Sequence, residues 1–362
     1  MQPKDIYAEL NRDIIGQDEV LKYVSVAIFK HVVGERYGNL LLIGNSGTGK
    51  TSIMLAMEKM YMSKPFFKDH RVVARTNANT LADEEEGMVR GNKLMRLLDE
   101  RARAFLGKEF TVEQLKNLME HATICVDEVD KITGRVGGRP NVQGIAIQQN
   151  MLTLMEGEKV VYETNIIENG AYRRVSMEID TGHVLFICGG AFEELYDQVY
   201  SRVFKEGNQE KLTRMVMTDE GGVSFKQVFT LKDNLRQEDL FFYGMLPQFL
   251  ARFDNAVVLE DLSPSELRKI FMEPDACLFK TSQKFFKRFN VQLSITEKAQ
   301  RLIADKAADN ARVGARALKD VYGRVIKRFE FDPYSCSEVK QYGNNYELTI
   351  DEGIVRAALG IR

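Results

Sequence analysis

Gly44-Asn45-Ser46-Gly47-Thr48-Gly49-Lys50-Thr51 has the Gly-x-x-x-x-Gly-Lys-Thr spacing of a Walker A loop. Its glycines let the main chain close around an anion, so that several backbone N–H groups can face phosphate oxygens. The residues upstream, Asn39–Ile43, form a short apolar run that predicts a buried parallel strand. Downstream, Thr51–Met62 has the periodicity of a helix, whose N-terminus adds partial positive charge at the loop. Strand, glycine turn and helix are the setting that this motif requires. Ser46, Gly47, Thr48, Gly49, Lys50, Thr51 and Ser52 are therefore candidate phosphate contacts. Lys50 is placed to neutralise β- and γ-phosphate charge, and the Thr51 hydroxyl to ligate Mg²⁺.

A second signal lies downstream. Thr123-Ile124-Cys125-Val126-Asp127-Glu128 is an apolar strand ending in two carboxylates. In a parallel sheet such an end lies at the carboxyl edge, where ligands sit. Asp127 is the candidate to hold Mg²⁺ through its water shell, and Glu128 the candidate general base for an attacking water. Alone, a strand ending in Asp-Glu is common; below a Walker A loop it points to hydrolysis.

The pattern around these motifs supports the same fold. Helical periodicity covers Lys4–Asn11 and Asp18–Val33, and strand and helix candidates then alternate: Val72–Thr76, Gly91–Phe105, Val112–Glu120, Thr123–Val126, Ile145–Glu156 and His183–Ile187. That alternation predicts a parallel sheet covered by helices on both faces. From Tyr200 to Tyr243 the chain is charged and poorly periodic, which predicts that the stretch contains loops projecting from the first domain. Near residue 262 the pattern changes. Ser263 caps a predicted long helix Pro264–Phe289 with Pro264 at its first position. Helices at Thr296–Ala308, Gly314–Phe329 and Glu352–Ala358 follow, with short strands near Val291–Ile295 and Tyr346–Ile350. The expected division is a large domain over residues 1–262 and a smaller, mainly helical domain over 263–362.

Composition excludes several classes. The 362 residues carry a formal charge of −2, with 44% hydrophobic and 28% charged residues, which is ordinary for a folded soluble chain with no pull towards nucleic acid or anionic membrane. Cys125, Cys188, Cys277 and Cys336 are widely spaced, which argues against a disulfide framework or a cysteine zinc site. The start lacks a secretory pattern, and no apolar run approaches the ~18 residues of a membrane span. A cytoplasmic location is expected.

With both motifs in place, the sequence resembles the ClpX and HslU unfoldase family of AAA+ ATPases. The likeness is carried by Ile14-Ile15-Gly16-Gln17, by the Walker pair with Asp127-Glu128-Val129-Asp130-Lys131-Ile132, and by Gln148-Gln149 leading to Met155-Glu156-Gly157. It continues through Leu185–Phe192, Leu246–Arg252 and Gly314-Ala315-Arg316-Ala317-Leu318. The resemblance implies an α/β fold, an AAA+ P-loop NTPase whose parallel sheet is sandwiched by helices and followed by a helical lid domain. It implies ATP and Mg²⁺ as cofactors and a ring-shaped homo-oligomer, a hexamer in that family. It further implies that Arg252 is an arginine finger reaching a neighbour's γ-phosphate, that Arg316 is the sensor-2 arginine, and that Ile15 and Gln17 line an adenine pocket. Cys188 stands where other AAA+ proteins carry a polar sensor-1 residue, and it receives no role.

Departures from the family bear on the biological task. The family's N-terminal four-cysteine zinc domain has no counterpart here, and residues 202–229 lack the Ile-Gly-Phe tripeptide that docks on ClpP. Partnership with that peptidase is therefore not expected. The family's Gly-Tyr-Val-Gly pore loop corresponds to Gly87-Met88-Val89-Arg90, where a flexible methionine replaces the aromatic ring and Arg90 adds charge. The preceding acidic run Asp83–Glu86 reads as a solvated charge run, or alternatively as a guard at a pore entrance. The second-pore-loop region Gly137–Gly144 diverges, and the family's Arg-Lys-His entry loop is reduced to Tyr172-Arg173-Arg174. The leading expectation is an ATP-driven ring that remodels or unfolds a protein client without ClpP. The alternative is a nucleotide-gated scaffold or assembly ring with slow hydrolysis. No nucleic-acid reader and no membrane partner is expected.

Overall fold

Two helices, α1 (Pro3–Asp13) and α2 (Asp18–Val32), precede the apolar run, which forms the buried strand β1 (Leu40–Ile43). This computed structural model describes residues 1–35, 38–81, 92–107, 109–136, 139–168, 171–207, 213–217, 223–227, 229–309, 313–343 and 345–361. After the glycine loop come α3 (Lys50–Ser63), β2 (Val73–Asn77), α4 (Asn92–Leu106), α5 (Val112–Glu120) and β3 (Thr123–Asp127). The short strands β4 (Arg135–Val136) and β5 (Arg139–Pro140) lead into α6 (Val142–Met155). A hairpin of β6 (Lys159–Glu168) and β7 (Ala171–Asp180) precedes β8 (Leu185–Gly190) and α7 (Leu195–Lys205). A second hairpin, β9 (Thr213–Met217) and β10 (Val223–Gln227), is followed by α8 (Leu231–Asn234), α9 (Gln237–Tyr243), α10 (Pro247–Leu250) and β11 (Asn255–Val258).

Five of these strands build one parallel sheet in the order β11-β1-β8-β3-β2. Strands buried on both faces read as unbroken apolar runs, as Leu40–Ile43 and Leu185–Cys188 do. Because all five run the same way, the ends of β1, β3 and β8 share one edge. There the Gly44 N–H donates to the Gly190 carbonyl at 3.2 Å. The core around the sheet includes Leu41, Met95, Ile124, Phe186 and Phe249, all at most 1% exposed.

The opposite edge of the sheet gathers histidine. All four histidines of the chain meet there: His31–His70, His70–His121 and His121–His183 ring centroids lie 4.8, 5.3 and 5.9 Å apart. His70, His121 and His183 each lie just before a strand of the sheet, and His31 lies near the end of α2. The Nε2 atoms of buried His31 and His70 have no hydrogen-bond partner among the described residues.

The chain divides into two units. One comprises Met1–Asn11, Glu19–Gly44 and Lys50–Leu259; the other comprises Arg12–Asp18, Asn45–Gly49 and Glu260–Arg362. The second contains α11 (Pro264–Met272), α12 (Leu278–Lys287), β12 (Val291–Ile295), α13 (Glu297–Ala308), α14 (Arg316–Phe331), β13 (Lys340–Tyr342), β14 (Asn345–Ile350) and α15 (Glu352–Leu359). Its three strands are ordered β12-β14-β13, and its core is built on Phe271, Phe286, Leu318, Phe329 and Val355.

One expectation from sequence is corrected. The helix expected over Pro264–Phe289 is two helices, α11 and α12, with Pro274 between them. Proline removes a helical donor and its ring clashes with the preceding turn, so the apolar periodicity of the two halves does not make one helix. Within Tyr200–Tyr243 the described residues include the end of α7, the pair β9–β10, α8 and α9, and the bidentate pair of Arg202 with buried Asp239 at 2.8 and 2.9 Å ties α7 to α9.

Candidate functional site

At the carboxyl edge of the sheet, the first turn of α3 meets the end of β3. The Thr51 hydroxyl donates to Asp127 Oδ2 at 2.5 Å. Lys50, on the same turn, is 7% exposed, and its ammonium donates to the Gly44 carbonyl. Ser52 and Thr51 face solvent. Asp127 Oδ1 accepts the N–H of Glu128, which is exposed and held in the left-handed region at φ 58°. A glutamate is strained there, and such strain persists only where the surrounding structure over-determines it. Lys50, Thr51, Asp127 and Glu128 therefore share one edge of one unit.

The donor set suits Mg²⁺. A hydroxyl and a carboxylate oxygen, both hard ligands, lie within 2.5 Å of each other. Mg²⁺ is commonly held by one or two carboxylates plus phosphate and water, not by a dedicated cage. Among the described residues no group of three His, Cys, Asp or Glu side chains is arranged to hold a metal.

Behind the site stand residues that sequence reading passed over. Asp130, 4% exposed, accepts the Ala191 N–H at 3.0 Å and so ties the turn after Glu128 to the end of β8. Gly190 is required between them: a Cβ there would lie 2.5 Å from the Phe192 ring and 2.8 Å from Asp130 Oδ1. Gln148, quoted above only as part of a motif, is fully buried on α6. Cys188, on β8, is buried, which pushes its thiol well above the ordinary value and leaves it neutral.

Arg252 lies elsewhere in this unit. Its carbonyl accepts from Asn39 Nδ2 at 3.1 Å, and Asn39 immediately precedes β1. Its guanidinium, 43% exposed, pairs with Glu156 at 2.7 Å. Lys50 follows the opposite end of β1 and Asp127 is the last residue of β3, so Arg252 is not brought to them within this unit.

The remaining candidates fall in the second unit. Gln17, 5% exposed, donates to the carbonyls of Thr48 at 3.1 Å and Glu260 at 2.9 Å and accepts the Glu260 N–H at 3.2 Å. Ile15 beside it is half-buried. Asn45 Nδ2 donates to Asp261 at 2.8 Å. Arg316, at the start of α14, donates to the Ser46 hydroxyl. Gly47 has φ 77° and accepts the Ala315 N–H at 3.0 Å, and a Cβ there would sit 2.2 Å from the Val313 carbonyl oxygen. Gly49 also has positive φ, at 112°. The segments 14–17, 45–49 and 313–316 are thus brought together. The expected pore-loop residues Gly87, Met88, Val89 and Arg90, the run Asp83–Glu86, and residues 137–138 lie outside the described residues, as does part of the region searched for the peptidase dock.

Residues 35–256 match the family model described as "AAA domain (Cdc48 subfamily)". The chain belongs to the AAA family. This AAA protein is also similar to the ATP-dependent Clp protease ATP-binding subunit ClpX of Porphyromonas gingivalis, 26% identical over 99% of the chain and 83% of the relative. It is 28% identical to the subunit so named from Azotobacter vinelandii, over 93% of the chain and 76% of the relative. It is 28% identical to the ATP-dependent Clp protease ATP-binding subunit ClpX 3 of Methylococcus capsulatus, over 94% of the chain and 78% of that protein. Fold and comparisons agree on a ClpX-like AAA ATPase. No helix among its described residues is long and apolar enough to cross a membrane.

Proposed function

We propose that this ATPase remodels or unfolds a protein client as a ring of identical subunits in the cytoplasm, without ClpP, and that each hydrolytic site is completed by a neighbour's Arg252. The observation that carries the reading is the Thr51–Asp127 contact at 2.5 Å, with Lys50 and Glu128 beside it. Thr51 and Asp127 would hold Mg²⁺, which when bound with ATP draws charge from the phosphates. Lys50 would neutralise the β- and γ-phosphates, and the amides of Gly47–Gly49 would cradle them. Glu128 would orient and deprotonate the attacking water. Gln17 and Ile15 would border the base, and Arg316 would report on nucleotide through the loop at Ser46.

The trans role of Arg252 is supported by its place. Its carbonyl is fixed at the start of β1 and the phosphate loop begins at the end of that strand. Four residues of strand separate the two by ~13 Å, more than one arginine side chain spans. A second protomer could supply the cation that its own fold withholds.

The alternative, a scaffold ring with slow hydrolysis, draws on Met88 standing where the related unfoldases have an aromatic residue. Steady-state ATP turnover with and without a permanently unfolded protein separates the two. Stimulation is expected of a remodeller; a flat response supports the scaffold.

A further inference from the structure

Helix α6 joins two functional ends of the large unit. Its N-cap Asn141 donates to the Thr133 carbonyl at 3.0 Å, just beyond the 3-10 turn Val129–Ile132 that follows Glu128. Midway, fully buried Gln148 donates to the Ile132 carbonyl at 2.7 Å and accepts the Leu246 N–H at 2.8 Å. At its far end Glu156 holds the Arg252 guanidinium at 2.7 Å. Two residues later, the Glu158 carbonyl accepts from Thr181, just ahead of β8, at the edge of the sheet remote from Asp127. Fourteen helical residues make a strut of ~21 Å.

We propose that Gln148 and Glu156 are positioning residues, through which α6 holds the Arg252 turn in register with the Asp127–Glu128 segment of the same protomer. This deepens the reading of Arg252 as a trans-acting group and rests on it. Gln148 is bonded at once to the turn that follows the carboxylates and to the turn that leads into Arg252. A displacement of Ile132 therefore moves Leu246 with it, because a buried amide has no solvent to replace either bond. Glu156 orients the guanidinium itself. Its half-exposed ion pair adds little to stability, which separates its positional role from a folding role. In a ring, the hydrolytic state of one site is thereby transmitted to the arginine lent to the next. The coupling elements are buried Gln148 midway along α6 and Glu156 at its end.

A double-mutant cycle on the full-length protein tests this, with kcat and KM for ATP measured for Glu156→Gln, Gln148→Leu and Arg252→Ala. Each positioning variant is expected to lower kcat about tenfold, the equivalent of ~1.4 kcal/mol, with KM little changed. Neither is expected to lower kcat further once Arg252 is alanine. Losses that multiply in the Arg252→Ala background, or that fall on KM alone, overturn the positioning role while leaving the trans arginine intact. Wild-type turnover by Arg252→Ala overturns both. Gln148→Leu touches the core, so Glu156→Gln, at an exposed pair, decides the matter if the former does not fold.

Discussion

Asn39 Nδ2 donates to the main-chain carbonyl of Arg252 at 3.1 Å, while Asn39 Oδ1 accepts the Phe186 N–H at 2.9 Å. One side chain thus fastens the arginine-bearing turn to the start of β1 and the start of β8. The candidate carboxylates Asp127 and Glu128 are at the other end of β3. A parallel sheet has two distinct edges, and this chain puts its candidate arginine on the one opposite Asp127.

Thr51 and Asp127 are expected to act as one Mg²⁺ site. Thr51→Ala should raise the Mg²⁺ concentration needed for half-maximal turnover about tenfold, which corresponds to ~1.4 kcal/mol. Asp127→Asn should do the same and more, because it removes charge as well as a ligand. Titration of ATP turnover with Mg²⁺ at fixed ATP reads both. An unchanged Mg²⁺ midpoint in either variant contradicts the assignment.

The histidine cluster should make the large unit acid-sensitive. Burial, reinforced by the positive charges that His70 and His121 would carry, holds His31 well below 6.5. Burial and His121 lower His70 to about 4, partly opposed by Asp69. In the unfolded chain both return to ~6.5. Between that value and about 4 the unfolded state binds protons that the fold refuses, so stability is complete above pH 6.5 and is lost as pH falls through that window. The limiting slope is ~1.4 kcal/mol per pH unit for each such histidine. Urea unfolding at pH 7.5 and 5.5 should show the loss, and His70→Asn should reduce it. Equal pH dependence in wild type and variant would remove the cluster as its source.

Gly190→Ala should destabilise the large unit by about 1–3 kcal/mol, the usual penalty of overpacking. The added methyl would press on Phe192 and on Asp130, which orders the turn after Glu128. A lowered urea midpoint is expected, with turnover reduced through the displaced turn. An unchanged midpoint would show that Phe192 has room to move.

The site was legible where its chemistry is local in sequence. Gly44–Thr51 and Thr123–Glu128 each declare a strand, its end and the reactive group within a few residues, and both elements form as expected. Gln148, Asp130 and Glu156 were not assigned roles, because their partners Leu246, Ala191 and Arg252 are distant in sequence. The hairpin β6–β7 also escaped. Its outer half is exposed on both faces, as Tyr172, Arg173 and Arg174 show, so no period-two burial pattern marks it. The break between α11 and α12 was hidden by apolar periodicity on either side of Pro274, though the proline itself was the available signal.

Co-expression of two defective subunits tests the shared site most directly. Glu128→Gln retains Arg252 but lacks the base; Arg252→Ala retains the base but lacks the arginine. Each alone should turn over ATP slowly, the latter by about 10³-fold or more below wild type. Assembled together they should recover turnover well above the sum of the two, because the Arg252→Ala protomer receives a neighbour's intact arginine. A mixed assembly no more active than its separate parts contradicts a site completed in trans.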